Sequence, residues 1–347
     1  MKKFIHIGMP KTLTSALQEG FFSQHDEIHF LGVGVGSLID YVNDEINRIF
    51  ETLIPYSSES YYLKNKKISK DVINLEHAHA REQGKLWIGV SSEWLGFNFS
   101  PEMVDPELKT KRLSELMGSD AHIILIIRNN IGFLKSLYAE LVKVGLPLSF
   151  QEYCEYLWLF QDRSSLSELL YDEQYERLAR YFQRDRIHIL VLESHRNADG
   201  SLIENNNEIS LISELCALLG IKYPENFSLP QVNPSLNKYE LKKKLELNKE
   251  VRHDFGNLIF EPSNIHRSRK QIQSVSDNLS LDIFKNVKIK RDLLEKAKLA
   301  AASSKDSIDF YLSDEIKCAL QSKFKKSNFR FEKLSGVKLP EEYYSAF

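Results

Sequence analysis

"IHIGMPKTLTSALQ", residues 5–18, opens as an apolar strand and closes as a helix. The junction between the two decides the fold. It holds Pro10, Lys11, Thr12, Leu13, Thr14 and Ser15. A buried strand that runs through a short polar loop into a helix starts a β-α-β unit. Such a junction is also a natural anion site. The first N–H groups of the helix lack partners, and the helix dipole is positive there. Lys11 adds a full positive charge, and Thr12, Thr14 and Ser15 add hydroxyl donors. A plainer reading has Thr14 or Ser15 simply capping the helix. The local sequence admits both.

Working outward, short apolar runs alternate with helical patterns. "FIHIG" (4–8), "EIHFLG" (27–32), "KLWIGVSSE" (85–93), "AHIILIIR" (121–128) and "IHILVLE" (187–193) read as strands. "SALQEGFFSQ" and residues 40–54 have helical spacing. The run 121–128 is apolar throughout, as befits a central strand covered on both faces. Strands separated by helices imply an α/β fold with a doubly wound parallel sheet flanked by helices. Ligands in such folds bind beyond the C-terminal strand ends. Past about residue 230 the chain turns lysine-rich and helical. We read residues 1–347 as one domain, an α/β core to about 230 with a helical C-terminal extension over 231–347.

Composition excludes some functions. Lys plus Arg number 46 and Asp plus Glu 48, a formal net charge of −2, which argues against a protein that coats nucleic acid. Cys154, Cys216 and Cys318 are far apart and form no zinc signature. Sparse cysteines suit a reducing compartment. The N-terminus is too briefly apolar for a signal peptide or a membrane span. A soluble, cytoplasmic protein is expected.

An ATP-type phosphate loop needs a glycine before its lysine and an acidic residue to help hold magnesium. Here Pro10 precedes Lys11, and the best buried strand ends in Arg128. Arg128 stands at the sheet edge where ligands sit, and Ser136 follows eight residues later, two turns into the next helix. An arginine fork and a hydroxyl there suit a second phosphate group. Alone, Arg128 is as readily a surface arginine.

Together, "PKTLTS" (10–15) and "RNNIGFLKS" (128–136) resemble the motif pair of the sulfotransferases that use 3′-phosphoadenosine-5′-phosphosulfate (PAPS). "SLY" after the second motif and "LSFQEYCEYL" (148–157) strengthen the likeness, which spans roughly residues 4–230 and points to bacterial enzymes acting on polysaccharides and small glycans. "FKKSNFRF" (324–331) resembles that family's C-terminal segment more weakly. The resemblance implies a P-loop-like sheet. It implies that Lys11, Thr12, Leu13, Thr14 and Ser15 hold the 5′-phosphosulfate and that Arg128 and Ser136 hold the 3′-phosphate. It implies adenosine 3′,5′-bisphosphate as product, a carbohydrate or other hydroxyl-bearing acceptor, and no metal. Lys11 then stabilises the leaving group.

The chain departs from that pattern twice. Leu13 stands where the family has glycine. Leucine adopts positive φ only at a cost, so an ordinary backbone conformation, or a different bend, is expected there. Ala16 stands where cytosolic members carry an adenine-stacking tryptophan, so another aromatic must serve.

Glu93, in "GVSSEWLGF", ends the third strand on the same sheet edge, where cytosolic members carry a catalytic histidine. A carboxylate beside Trp94 suits a general base. A structural glutamate, or one that only orients the acceptor, remains open. The acceptor pocket falls to the loops at 33–84 and 94–120 and to the C-terminal helices. Two other functions compete: a non-catalytic sulfotransferase-like binding module, and an ATP-dependent P-loop kinase. "GVGVGS" (32–37) fails as a dinucleotide fingerprint. His77 and His79, two apart on a helix, face different ways. His6, Trp87 and Trp158 read as core.

Overall fold

The computed structural model describes the chain except residues 34–40, 99–102, 161–163, 226, 231–234, 251–282, 303, 305 and 346–347. Among the described residues five strands form one parallel sheet: β1 (Lys2–Ile7), β2 (Ile28–Val33), β3 (Trp87–Ser92), β4 (His122–Ile127) and β5 (Ile187–Val191). Their order is β2-β3-β1-β4-β5. Ile7 lies opposite Ser92 on one side and Leu125 on the other, and Ile127 lies opposite Val191. The strands therefore finish along one edge. β1 sits between β3 and β4, so the winding reverses about it, and in open α/β sheets the ligand crevice forms at the C-terminal end of such a strand.

The sheet forms where apolar residues are covered on both faces. Every residue of β4 is buried. In β3, Gly89 lies opposite Phe4, and a Cβ there would stand 2.3 Å from the Phe4 ring. Only glycine leaves room for that ring.

The helices are α1 (Thr14–Ala16), α2 (Asp44–Arg48), α3 (Glu59–Glu82), α4 (Pro106–Met117), α5 (Asn130–Val144), α6 (Phe150–Leu159), α7 (Tyr171–Tyr181), α8 (Ser210–Leu219), α9 (Lys238–Glu250), α10 (Ile283–Ala301) and α11 (Asp314–Ser335). Two expected α-helices are in part wider. α1 continues as π-helix over Leu17–Phe22, and α2 continues as π-helix over Ile49–Leu53 before closing at Ile54–Tyr56. Residue 40 and the part of "GVGVGS" from 34 onward lie outside the described residues. On one face of the sheet Phe4, Phe21, Phe22 and Trp87 pack with Leu211, Leu215 and Leu219 of α8. Each such burial contributes about 1.5–3 kcal/mol. Trp87 donates its indole N–H to the Leu219 carbonyl at 2.8 Å. Trp158, expected in the core, is only half-buried.

The chain groups into two compact units. One holds residues 1–130, 167–232 and 323–346, and so contains the whole sheet. The other holds residues 131–166 and 233–322. Within the second, Phe310 meets Tyr138 and Phe150 edge-on. Asn248 of α9 donates to the carbonyls of Val142 at 2.8 Å and Leu146 at 2.9 Å. Among the described residues no helix is long and apolar enough to cross a membrane.

Candidate functional site

The loop after β1 is built by its own side chains. Thr12 donates its hydroxyl to the Met9 carbonyl at 2.7 Å, and Thr14 donates to the same carbonyl at 3.0 Å. Both threonines are buried. Gly8 makes this possible, since a Cβ there would stand 2.4 Å from the Thr14 methyl. The hydroxyls of Thr12 and Thr14 are thus committed inside the loop, and Thr14 does not cap the helix. No side chain caps α1 at all. The cap position is Leu13, whose carbonyl accepts the Leu17 N–H at 2.9 Å.

Here the structure departs from the expectation for Leu13. Its φ is 65°, and that of Lys11 is 66°, both left-handed. Thr12 between them is not. Positive φ at two positions so close together bends the backbone sharply between β1 and α1. The loop reaches that shape with a leucine where glycine is the cheaper choice. Leu13 is held there from below, because its side chain packs against the core cluster of Phe4, Phe22 and Leu192.

Arg128 follows β4 directly. Its guanidinium donates to the Lys11 carbonyl at 3.0 Å, across 117 residues of sequence. Its own carbonyl accepts the Tyr171 hydroxyl at 2.6 Å. Its Nε is buried without a hydrogen-bond partner. The next turn is fixed just as firmly. The Asn129 N–H reaches a Glu193 carboxylate oxygen at 2.9 Å, and the Asn130 side chain donates to the Leu169 carbonyl at 2.8 Å. Asn328, in the "SN" stretch of α11, donates to Asn130 at 2.9 Å, and neighbouring Ser327 donates to Asp172. Ser136 lies on α5 in the other unit and is half-buried.

Glu93 opens a 3-10 turn, Glu93–Leu95, at the end of β3. It is partly exposed, and Trp94 beside it is buried against Tyr56. Two devices fix this turn. Gly96 is pressed so close to Ile7, the last residue of β1, that a Cβ would overlap its methyl at 2.0 Å. Lys109 of α4, fully buried, donates to the carbonyls of Trp94 at 2.8 Å and Phe97 at 3.2 Å. Burial pulls the Lys109 ammonium down to about 7, against the opposing pull of Glu168. Charged or neutral, its nitrogen has protons enough for both carbonyls.

Behind β3 lies a second carboxylate that the sequence did not flag. Glu51 is buried in the π-helical turn and accepts the Tyr41 hydroxyl at 2.6 Å. The Ser92 side chain also hydrogen-bonds Tyr41. Burial pushes Glu51 up to about 7. His6, read as core, is buried and bonded to Ser91 at 2.7 Å, and burial drives it down to about 3. Gln18 donates to the same Ser91 hydroxyl at 2.9 Å, which ties the helix after the loop to β3.

The structure therefore gathers the Lys11–Ser15 loop, Arg128 and the Glu93 turn along one sheet edge. Sequence reading missed Glu51, Lys109, Glu193 and Arg196. The last two sit just past β5, where the rule of strand ends applies as it does for Arg128. No protein-family model matches the chain, and no curated protein matches it. Among solved structures, it is similar to a sulfotransferase from Alicyclobacillus acidocaldarius. That likeness covers 98% of this chain and 97% of the other, at 15% identity and a TM-score of 0.47.

Proposed function

We propose that this chain is a sulfotransferase that moves a sulfuryl group from PAPS to a hydroxyl of a carbohydrate or glycoconjugate. The observation that carries the reading is the bond from Arg128 to the Lys11 carbonyl at 3.0 Å. It joins two motifs that are separately ambiguous. A helix start without a side-chain cap and two basic side chains are chemistry for phosphate and sulfate esters. In this reading the Lys11–Ser15 loop receives the 5′-phosphosulfate and Arg128 the 3′-phosphate. Ser136 joins them on the strength of the sequence resemblance alone.

The transfer breaks the bond from sulfur to the bridging oxygen and forms one to the acceptor oxygen. Lys11 meets the negative charge left on the bridging oxygen, which lets the step proceed without a metal. The acceptor's proton passes to Glu93, whose turn is braced by Gly96 and Lys109. Three free cysteines suit a cytoplasmic setting.

The test is calorimetric titration with adenosine 3′,5′-bisphosphate, followed by transfer of labelled sulfate from PAPS to extracts of the source cell. The wild type binds without magnesium. Arg128→Ala weakens binding by about 10–100-fold, the worth of a charge-assisted hydrogen bond. Lys11→Ala abolishes transfer. Absence of bisphosphate binding by the wild type sinks the proposal. Binding with no transfer to any acceptor points to the non-catalytic module.

A further inference from the structure

A row of hydrogen bonds starts inside the Glu93 turn and ends on the buried carboxylate of Glu51. The Trp94 N–H donates to the Ser92 hydroxyl oxygen at 3.3 Å, so Ser92 caps the turn that Glu93 opens. Ser92 is fully buried and has one hydroxyl proton to give. That proton goes to the Tyr41 oxygen. Tyr41 also has one, and it goes to Glu51 Oε1 at 2.6 Å. Every link donates in the same direction, so the row needs an acceptor at its far end. Glu51 is that acceptor.

Both ends are anchored. The Val42 N–H donates to the Leu31 carbonyl at 3.1 Å, which holds the neighbouring Tyr41 backbone beside β2. Val33 of β2 is the register partner of Ser91, so the same edge adjoins the end of β3. The Tyr41 ring lies 6° from parallel with Phe50, at 6.3 Å between centroids. Just past Glu51, the fully buried Arg112 donates to the carbonyls of Leu53 at 3.3 Å and Ile54 at 3.0 Å. The π-helical turn that carries Glu51 is thereby held on its C-terminal side. In a buried polar row each member depends on the next, so loss of the last acceptor is felt at the first donor.

We propose that Glu51 is a positioning residue for sulfate transfer: through Tyr41 and Ser92 it sets the turn that presents Glu93 to the acceptor hydroxyl. This rests on the sulfotransferase reading above and adds a residue to the support of its base.

The test is the rate of labelled sulfate transfer from PAPS to source-cell extract, measured on the full chain over a range of PAPS concentrations, with calorimetry of adenosine 3′,5′-bisphosphate beside it. Tyr41→Phe keeps the ring and cuts the row. It lowers the rate at saturating PAPS by about 10–100-fold, the loss that follows when a reacting group is misplaced by about 1 Å. KM for PAPS and bisphosphate affinity change by less than about threefold. Glu51→Leu behaves like Tyr41→Phe. Glu51→Gln restores an acceptor and brings the rate to within about fivefold of wild type. Bisphosphate binding shows that each variant is folded. Equal rates for the glutamine and leucine variants, or bisphosphate affinity that falls in step with the rate, overturn the positioning role and leave the sulfotransferase reading intact. A wild type that transfers no sulfate overturns both.

Discussion

Leu13 offers the sharpest test of the loop. Its φ of 65° and ψ of 14° place it in the left-handed region. That conformation costs a side-chain-bearing residue about 1–2 kcal/mol relative to glycine. Two variants separate this strain from the packing of the side chain. Leu13→Ala and Leu13→Gly delete the same contacts with the core cluster, so both lose stability against wild type. Alanine keeps the Cβ penalty and glycine escapes it. Glycine in turn gains unfolded-state entropy, which costs about 0.4–1 kcal/mol. The balance makes Leu13→Gly the more stable of the two by about 0.5–1 kcal/mol. At a position of ordinary φ the order reverses, and alanine wins by about 0.4–1 kcal/mol. The sign alone therefore reports the backbone. Urea unfolding followed by circular dichroism measures it, because the two variants expose nearly the same surface and share a slope. An alanine variant as stable as the glycine variant, or more so, would falsify the left-handed conformation of Leu13.

Two further predictions concern the buried ionisable groups. Glu51 rises from 4.5 to about 7, so the fold prefers its acid form. Its contribution is complete below about 4.5, is lost as pH climbs through about 7, and amounts to about 3 kcal/mol. Glu51→Gln keeps an acceptor for Tyr41 and removes the titration. Its stability should fall by about 3 kcal/mol less than wild type between about pH 4.5 and pH 8.5; parallel curves refute the buried acid. Lys109→Met leaves the carbonyls of Trp94 and Phe97 unpaired and costs about 2–4 kcal/mol in unfolding experiments. By loosening the Glu93 turn it also lowers kcat for sulfate transfer far more than bisphosphate affinity; equal loss in both contradicts the bracing role.

Much of the sheet was legible because its signal is local. The run "HIILII" is apolar at every position, as a strand covered on both faces must be. The wide turns were not legible. A π-helix carries no side-chain signature, and at Ile49–Leu53 it alters the angular spacing that a 3.6-residue period assumes. Glu51 is carried into the interior by that change. The conformation of Leu13 was hidden for a different reason. Local preference speaks against positive φ, and what accompanies it here is packing on a core cluster drawn from distant parts of the sequence. Lys11 and Arg128 were each readable as candidates. Their hydrogen bond spans 117 residues, and no periodicity encodes such a meeting.

The turn at Asn129 and Asn130 is completed by partners near the other end of the chain. The Asn129 side chain donates to the Glu342 carbonyl across 213 residues, and Asn130 accepts from Asn328 across 198. On a ribosome moving at about 5–20 residues per second, about 10–40 s pass between the emergence of Asn129 and that of Glu342. Throughout that interval the sheet can already be paired while the arginine edge lacks its final supports. The turn after Arg128 is therefore among the last parts of the fold to be completed on the nascent chain, and a truncated product that retains every strand still lacks its supports.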